Sequence, residues 1–207
     1  MEEVGRWVTG GLVLVNQVLS ATVVLTSFSL FLYLLTHNFR SRVARAFCAL
    51  LIFVLFVYAG DVVLYAVQTP EAAERWLKFQ WIGIAFVPAA YLQFSDAVLR
   101  TTGLRARWRS VVVVLSYAAS TVFLGLVLFS DLVVYDGTFE PPAYHLAAGP
   151  LFWVFALYFV LAVVWGAVTI RRARERCLAR ASRRRMAYLA LASVAPALGV
   201  FPYLMVT

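Results

Sequence analysis

Apolar residues in this chain come in long unbroken runs, not in the alternation of a half-buried strand or the narrow stripe of a surface helix. The runs fall at about 8–35, 46–67, 79–99, 110–130, 146–170 and 186–206, and short arginine-rich or polar stretches separate them. A helix that crosses about 30 Å of hydrocarbon needs roughly 20 such residues. The pattern therefore predicts an all-α integral membrane protein, a bundle of about six transmembrane helices forming one domain over residues 1–207.

Composition agrees: 63% of the 207 residues are hydrophobic and 14% are charged, against roughly 25% charged in a soluble domain. The net charge of +8 does not point to nucleic acid. Fifteen of the eighteen Lys and Arg residues lie in three stretches, 36–45, 100–109 and 171–185, which six crossings place on one side. Basic residues near membrane ends stay cytoplasmic, so both ends of the chain are expected outside. Aromatic residues suited to the interface fit this placement, with Tyr65, Trp76, Trp81 and Trp153 near the outer boundary and Trp108 and Trp165 near the inner one. The start Met1-Glu2-Glu3 lacks the basic segment of a cleaved signal, so the first helix is expected to remain. Cys48 and Cys177 fall on the reducing side, and no disulfide is expected.

The outer segment 131–145 holds Asp136-Gly137 between two β-prone stretches, which predicts a small hairpin turning at that dipeptide. Pro88, Pro196 and Pro202 interrupt helices 3 and 6, where each removes a backbone hydrogen bond and favours a kink. Ala195 and Gly199 stand four apart beside Pro196, a spacing that lets two helices approach closely.

No phosphate-binding glycine loop, metal-spaced cysteine pair or nucleophile elbow is present, so no catalytic residue, cofactor or metal site is expected. His37 and His145 fall on opposite sides of the membrane and cannot share a metal. Ionisable residues inside spans are costly and mark candidate sites; Asp61 and Asp96 are the two found. Asp61 is placed roughly 22 Å above the inner boundary at 1.5 Å per residue. Tyr58 and Tyr65 share its helix face at i, i+3 and i+7 spacing, so two phenols can donate to one carboxylate, with Lys78 within reach from above. Asp96 stands one turn before Arg100, as expected of an i, i+4 ion pair, and Gln93 one turn earlier extends a polar strip along helix 3. Asn16 and Gln17 suit interhelical hydrogen bonding. Arg171, Arg172, Arg174, Arg176, Arg180, Arg183, Arg184 and Arg185 outnumber what orientation requires and suit anionic lipid head groups.

Two stretches resemble a known family. Phe79-Gln-Trp-Ile-Gly-Ile-Ala-Phe-Val-Pro-Ala-Ala-Tyr-Leu-Gln-Phe-Ser-Asp-Ala-Val-Leu99 is similar to the third helix, and Arg183 to Leu204, with its two prolines, to the sixth helix, of the N-terminal seven-transmembrane sensory region of bacterial and archaeal histidine kinases. The resemblance implies a non-catalytic input module in a prokaryotic plasma membrane that passes a stimulus to a cytoplasmic effector, and it brings no catalytic residue with it. This sequence stops after the sixth run, so it is expected to be the front of a seven-helix domain or a free-standing subunit.

Two other functions fit the same pattern. Helices 1–3 and 4–6 start on opposite sides, as in the inverted repeats of a small secondary transporter. A structural or accessory subunit of a larger membrane complex would need no site at all. Association as a homodimer is compatible with all three.

Overall fold

The computed structural model describes residues 2–67, 69–103, 107–140 and 143–176. Five helices and one hairpin follow in order: α1 (Glu2–His37), α2 (Arg42–Leu64), α3 (Pro70–Arg100), α4 (Arg107–Phe129), β1 (Val134–Glu140), β2 (Ala143–Ala148) and α5 (Phe152–Glu175). All five helices are long and apolar enough to cross a membrane. The sixth expected helix, 186–206, with Pro196, Pro202, Ala195 and Gly199, lies outside the described residues.

Helix α3 is the hub of the bundle. It packs on α2, α4, α5 and both strands, whereas α1 packs on α2. Over its most apolar 18 residues, 72% of α3 is buried, against 11–39% for the same length in the other four. Its composition explains the position, because Ala73, Ala85, Ala89, Ala90 and Ala97 present little bulk and admit neighbouring backbones. At Gly83 a methyl group would overlap the carbonyl oxygen of Phe53 and the side chain of Val57, so only glycine allows α2 to lie so close. Pro88 is buried within α3, which continues through it as one helix from Pro70 to Arg100. A second layer of large side chains fills the gap to α4 and α5: Trp81 packs on Phe155 at 5.1 Å, and Phe155 meets Phe123 edge-on at 5.3 Å.

Helix boundaries depart from the apolar runs where polar residues are helical. α3 begins nine residues before the expected Phe79. Pro70 starts it, since its fixed φ suits the first helical position. Ala73 and Leu77 bury against Leu64, and Lys78 pairs with Glu74 at 2.6 Å along the exposed side. α2 begins four residues earlier than expected and ends at Leu64, so Tyr65 is its C-cap residue, not part of the span. α5 starts at Phe152, because 143–148 form a strand, and runs on to Glu175, carrying Arg171, Arg172 and Arg174 on a helix where a loop was expected.

The hairpin forms, but it does not turn at Asp136-Gly137. Val134 pairs with Ala148, Tyr135 with Ala147 and Thr138 with His145, so Asp136 and Gly137 together face Leu146 as a bulge inside β1. The strands are joined by Pro141 and Pro142. Proline cannot donate to a ladder, and two in a row force the pairing to end there. Val133 and Val134 are buried in the main core, and Leu146 packs on Leu64 and Leu77. The Gly149 and Leu151 amides donate to Val133 and Leu132 carbonyls at 2.8 Å each, closing the base of the hairpin.

All five helix ends at one pole of the bundle carry arginine or abut it: Arg40, Arg42, Arg45, Arg100, Arg107, Arg109, Arg171, Arg172, Arg174 and Arg176. The hairpin and the α2–α3 connection form the other pole.

Candidate functional site

The polar side chains gather at two levels along α3. At the hairpin level, Asp61 occupies the last turn of α2, nineteen residues from its start, or about 28 Å along the axis. α2 is shifted toward lower numbers from the expected 46–67, so Asp61 falls three residues before its end. A carboxylate at a helix C-terminus faces the negative end of its own macrodipole, and its donor comes from another helix. Gln80 of α3 donates from Nε2 to Asp61 Oδ1 at 2.6 Å and to the Val57 carbonyl at 3.1 Å. Gln80 is 2% exposed. Gly60 makes room for it, since a Cβ there would overlap the Gln80 side chain.

The expected phenol pair is not the arrangement found. The Tyr65 hydroxyl accepts a hydrogen bond from Asn16 Nδ2 of α1, which ties α1 to the end of α2. Tyr65, the C-cap residue, keeps helical dihedrals (φ −65°, ψ −23°), but its hydroxyl is engaged by α1. Tyr58 stays on the α2 face but makes no hydrogen bond to Asp61 among the described residues. Lys78 is held by Glu74 and does not reach Asp61. Gln80 is the residue that sequence reasoning missed. Its signal was a lone amide beside an apolar run, with a Gly60-Asp61 step opposite.

About 24 Å further along α3, sixteen residues on from Gln80, lies the second level. Asp96 accepts from Arg100 Nε at 2.6 Å, the i, i+4 pair that the spacing predicts, with both side chains mostly covered. Arg100 also donates from Nη2 to Ser110 Oγ at 2.6 Å, joining α3 to α4. The Gln93 carbonyl oxygen accepts from the Tyr117 hydroxyl of α4. Gln93, Asp96 and Arg100 border a cleft of about 440 Å³ between α2, α3 and α4 at the basic pole. A third polar contact, which the sequence did not announce, clamps α4 to α5: Tyr158 donates to the Ser116 carbonyl at 3.0 Å and lies 3.1 Å from Ser120 Oγ.

Of the eight arginines expected at the membrane surface, Arg171, Arg172, Arg174 and Arg176 are exposed at the end of α5, while Arg180, Arg183, Arg184 and Arg185 lie outside the described residues. Arg171 and Glu175 are 3.3 Å apart and both exposed, a geometry that contributes little. Trp108 and Trp165 meet edge-on at 5.6 Å at the same pole, consistent with an interfacial belt. Trp81, by contrast, is a core residue packed on Phe155 and not an interfacial one. His37 stacks on Tyr33 at the end of α1, and His145 is in β2 at the opposite pole. Among the described residues no cluster of His, Cys, Asp and Glu is placed to hold a metal.

Five apolar spans around a small-residue hub, joined across their seams by polar contacts such as Gln80–Asp61 and Tyr117–Gln93, define a multi-pass helical membrane bundle. The chain matches the family described as the N-terminal 7TM region of histidine kinase over residues 18–207, and it belongs to that family. No curated protein and no solved structure matches it.

Proposed function

We propose that this chain is the stimulus-receiving membrane module of a prokaryotic signalling protein. It is non-catalytic, with its hairpin pole outside and its arginine-rich pole facing a cytoplasmic effector. Membership of a kinase input-region family supports the class. The observation that carries the assignment of a receiving site is the Asp61–Gln80 contact. It is a carboxylate and an amide kept in an apolar seam, at a cost that ordinary packing residues would not incur. Any ligand, proton or strain that alters this contact changes the α2–α3 seam. α3 then carries the change as one continuous helix to Asp96, Arg100 and Ser110.

Transcription profiling in the encoding organism tests this proposal, comparing wild type, a deletion and Asp61→Asn at matched membrane abundance. The proposal expects Asp61→Asn to displace the genes that the deletion affects, either toward the deletion state or toward the opposite, constitutive one. A profile for Asp61→Asn that coincides with wild type, while the deletion differs, refutes the assignment of Asp61 as the receiving site.

A further inference from the structure

The cleft at the basic pole has a charge pattern that orientation alone does not account for. Its polar wall is Arg42, Arg45 and Arg100 with Gln93, Asp96 and Ser110, from three different helices. Among the described residues the ion pairs are Lys78–Glu74, Arg100–Asp96 and Arg171–Glu175, so neither Arg42 nor Arg45 has a carboxylate partner. Three guanidinium groups and one carboxylate leave a surplus of positive charge around one hollow. The first turns of α2 and α4 contain no acidic residue. Both helix starts, where the macrodipole favours an anion, therefore carry arginines instead. Behind Asp96, Arg109 Nη1 is buried with no hydrogen-bond partner among the described residues, against a second small hollow that Asp96 also borders. Topology requires arginines at this end, but it does not require them to converge on one cavity.

The other wall of the cleft decides what kind of anion it suits. Val113 and Val114 of α4 line it together with Ala46 and Ala97. Val114 is 67% exposed on the outer side of α4, where the cleft meets the hydrocarbon. A cavity cationic at its polar end and apolar toward the acyl region matches a phospholipid, in which a phosphate is joined to hydrocarbon chains. A free phosphate would leave the valine wall unused.

We propose that the cleft between α2, α3 and α4 is a binding site for one anionic phospholipid, its phosphate held by Arg42, Arg45 and Arg100 and an acyl chain lying along Val113 and Val114. Guanidinium groups engage phosphate oxygens in paired hydrogen bonds, and basic pockets between helices at the membrane surface are suited to anionic head groups. Asp96 shares Arg100 with the lipid phosphate and so limits the affinity. The site is separate from the exposed arginines of α5, and it stands whether or not Asp61 receives a stimulus.

Native mass spectrometry of the detergent-purified full chain, titrated with phosphatidylglycerol, phosphatidylcholine or inorganic phosphate, tests the site. One phosphatidylglycerol should be retained in preference to phosphatidylcholine. Arg42→Gln and Arg45→Gln should each weaken retention roughly fivefold, whereas Arg171→Gln with Arg172→Gln should leave that lipid bound. Asp96→Asn should strengthen retention by releasing Arg100, which a purely structural Asp96 would not do. Arg45→Gln, at an exposed position outside any ion pair among the described residues, keeps the test intact if Asp96→Asn fails to fold. Equal retention of the two lipids, unchanged retention in Arg45→Gln, or displacement of the lipid by millimolar inorganic phosphate would each overturn the proposal.

Discussion

At Gly60 a single missing methyl group determines whether a buried amide can reach a carboxylate. The Gln80 side chain fills the space that a Cβ at position 60 would take, and from there it spans Asp61 and the Val57 carbonyl. Gly60→Ala should therefore destabilise the bundle by about 1–3 kcal/mol through overpacking. In a Gln80→Ala background the same substitution should cost almost nothing, because the colliding atoms are gone. Reversible unfolding in mixed micelles measures both, and an equal cost of Gly60→Ala in the two backgrounds would show that Gln80 is not the obstacle. Gln80→Leu alone removes the donor and should cost about 0.6–1.7 kcal/mol, between the average and the largest value for interhelical hydrogen bonds in a membrane protein. The sequence exposed only half of this node. Asp61 stood out because a charge in an apolar run is expensive. Gln80 is neutral and common enough at helix ends to pass unnoticed, and its pairing depends on helix rotation, which no spacing within one helix reports. The same limit explains Tyr65, which shares a helical face with Asp61 by spacing but whose hydroxyl is taken by Asn16 of another helix.

Helices as elements were legible from hydrocarbon-length runs, but their ends were not. A run of apolar residues marks what the bilayer requires, whereas a helix continues for as long as its backbone bonds and side contacts hold. Pro70 to Lys78 is helical on the strength of an N-terminal proline, the Glu74–Lys78 pair and two buried apolar residues, Ala73 and Leu77, none of which a hydropathy window weighs. The hairpin shows the reverse error. Asp-Gly is a strong local turn signal, yet Pro141-Pro142 cannot continue either strand, and the dipeptide is absorbed as a bulge. Which helix sits at the centre was visible only indirectly, in the small residues of α3. Gly83 faces a rigid backbone carbonyl across the α2–α3 seam, while Gly125 of α4 has open space around its Cβ position. Gly83→Ala should lower stability by about 1–3 kcal/mol. Gly125→Ala should be neutral or stabilise by up to about 1 kcal/mol through helix propensity. Thermal retention of the folded state in detergent distinguishes them, and equal effects at the two sites would contradict a close α2–α3 contact.

For the whole molecule, the distribution of charge predicts an orientation that the helices alone leave open. Among the described residues ten arginines gather at one pole, which collects the ends of α1, α3 and α5 and the starts of α2 and α4. Cationic side chains resist translocation in short connections, so this pole is expected to face the cytoplasm and the hairpin the exterior. The two poles also differ in what they can do. The hairpin closes over the α2–α3 connection through Leu146, Leu64 and Leu77, beside the Asp61–Gln80 contact, and the basic pole holds the cleft and its arginines. A signal that enters at one and leaves at the other must run along α3, the one helix packed on every other described element except α1. Orientation is therefore the premise on which the direction of signalling rests, and it can be measured directly. In a background carrying Cys48→Ser and Cys177→Ser, a cysteine placed at Asp131, exposed at the foot of the hairpin, should react with a membrane-impermeant maleimide in intact cells. A cysteine at Ser41, exposed between α1 and α2, should react only after permeabilisation. The opposite pattern would put the arginines outside, and α3 would then carry any change at Asp61 away from the cytoplasm, leaving a cytoplasmic effector with nothing to read.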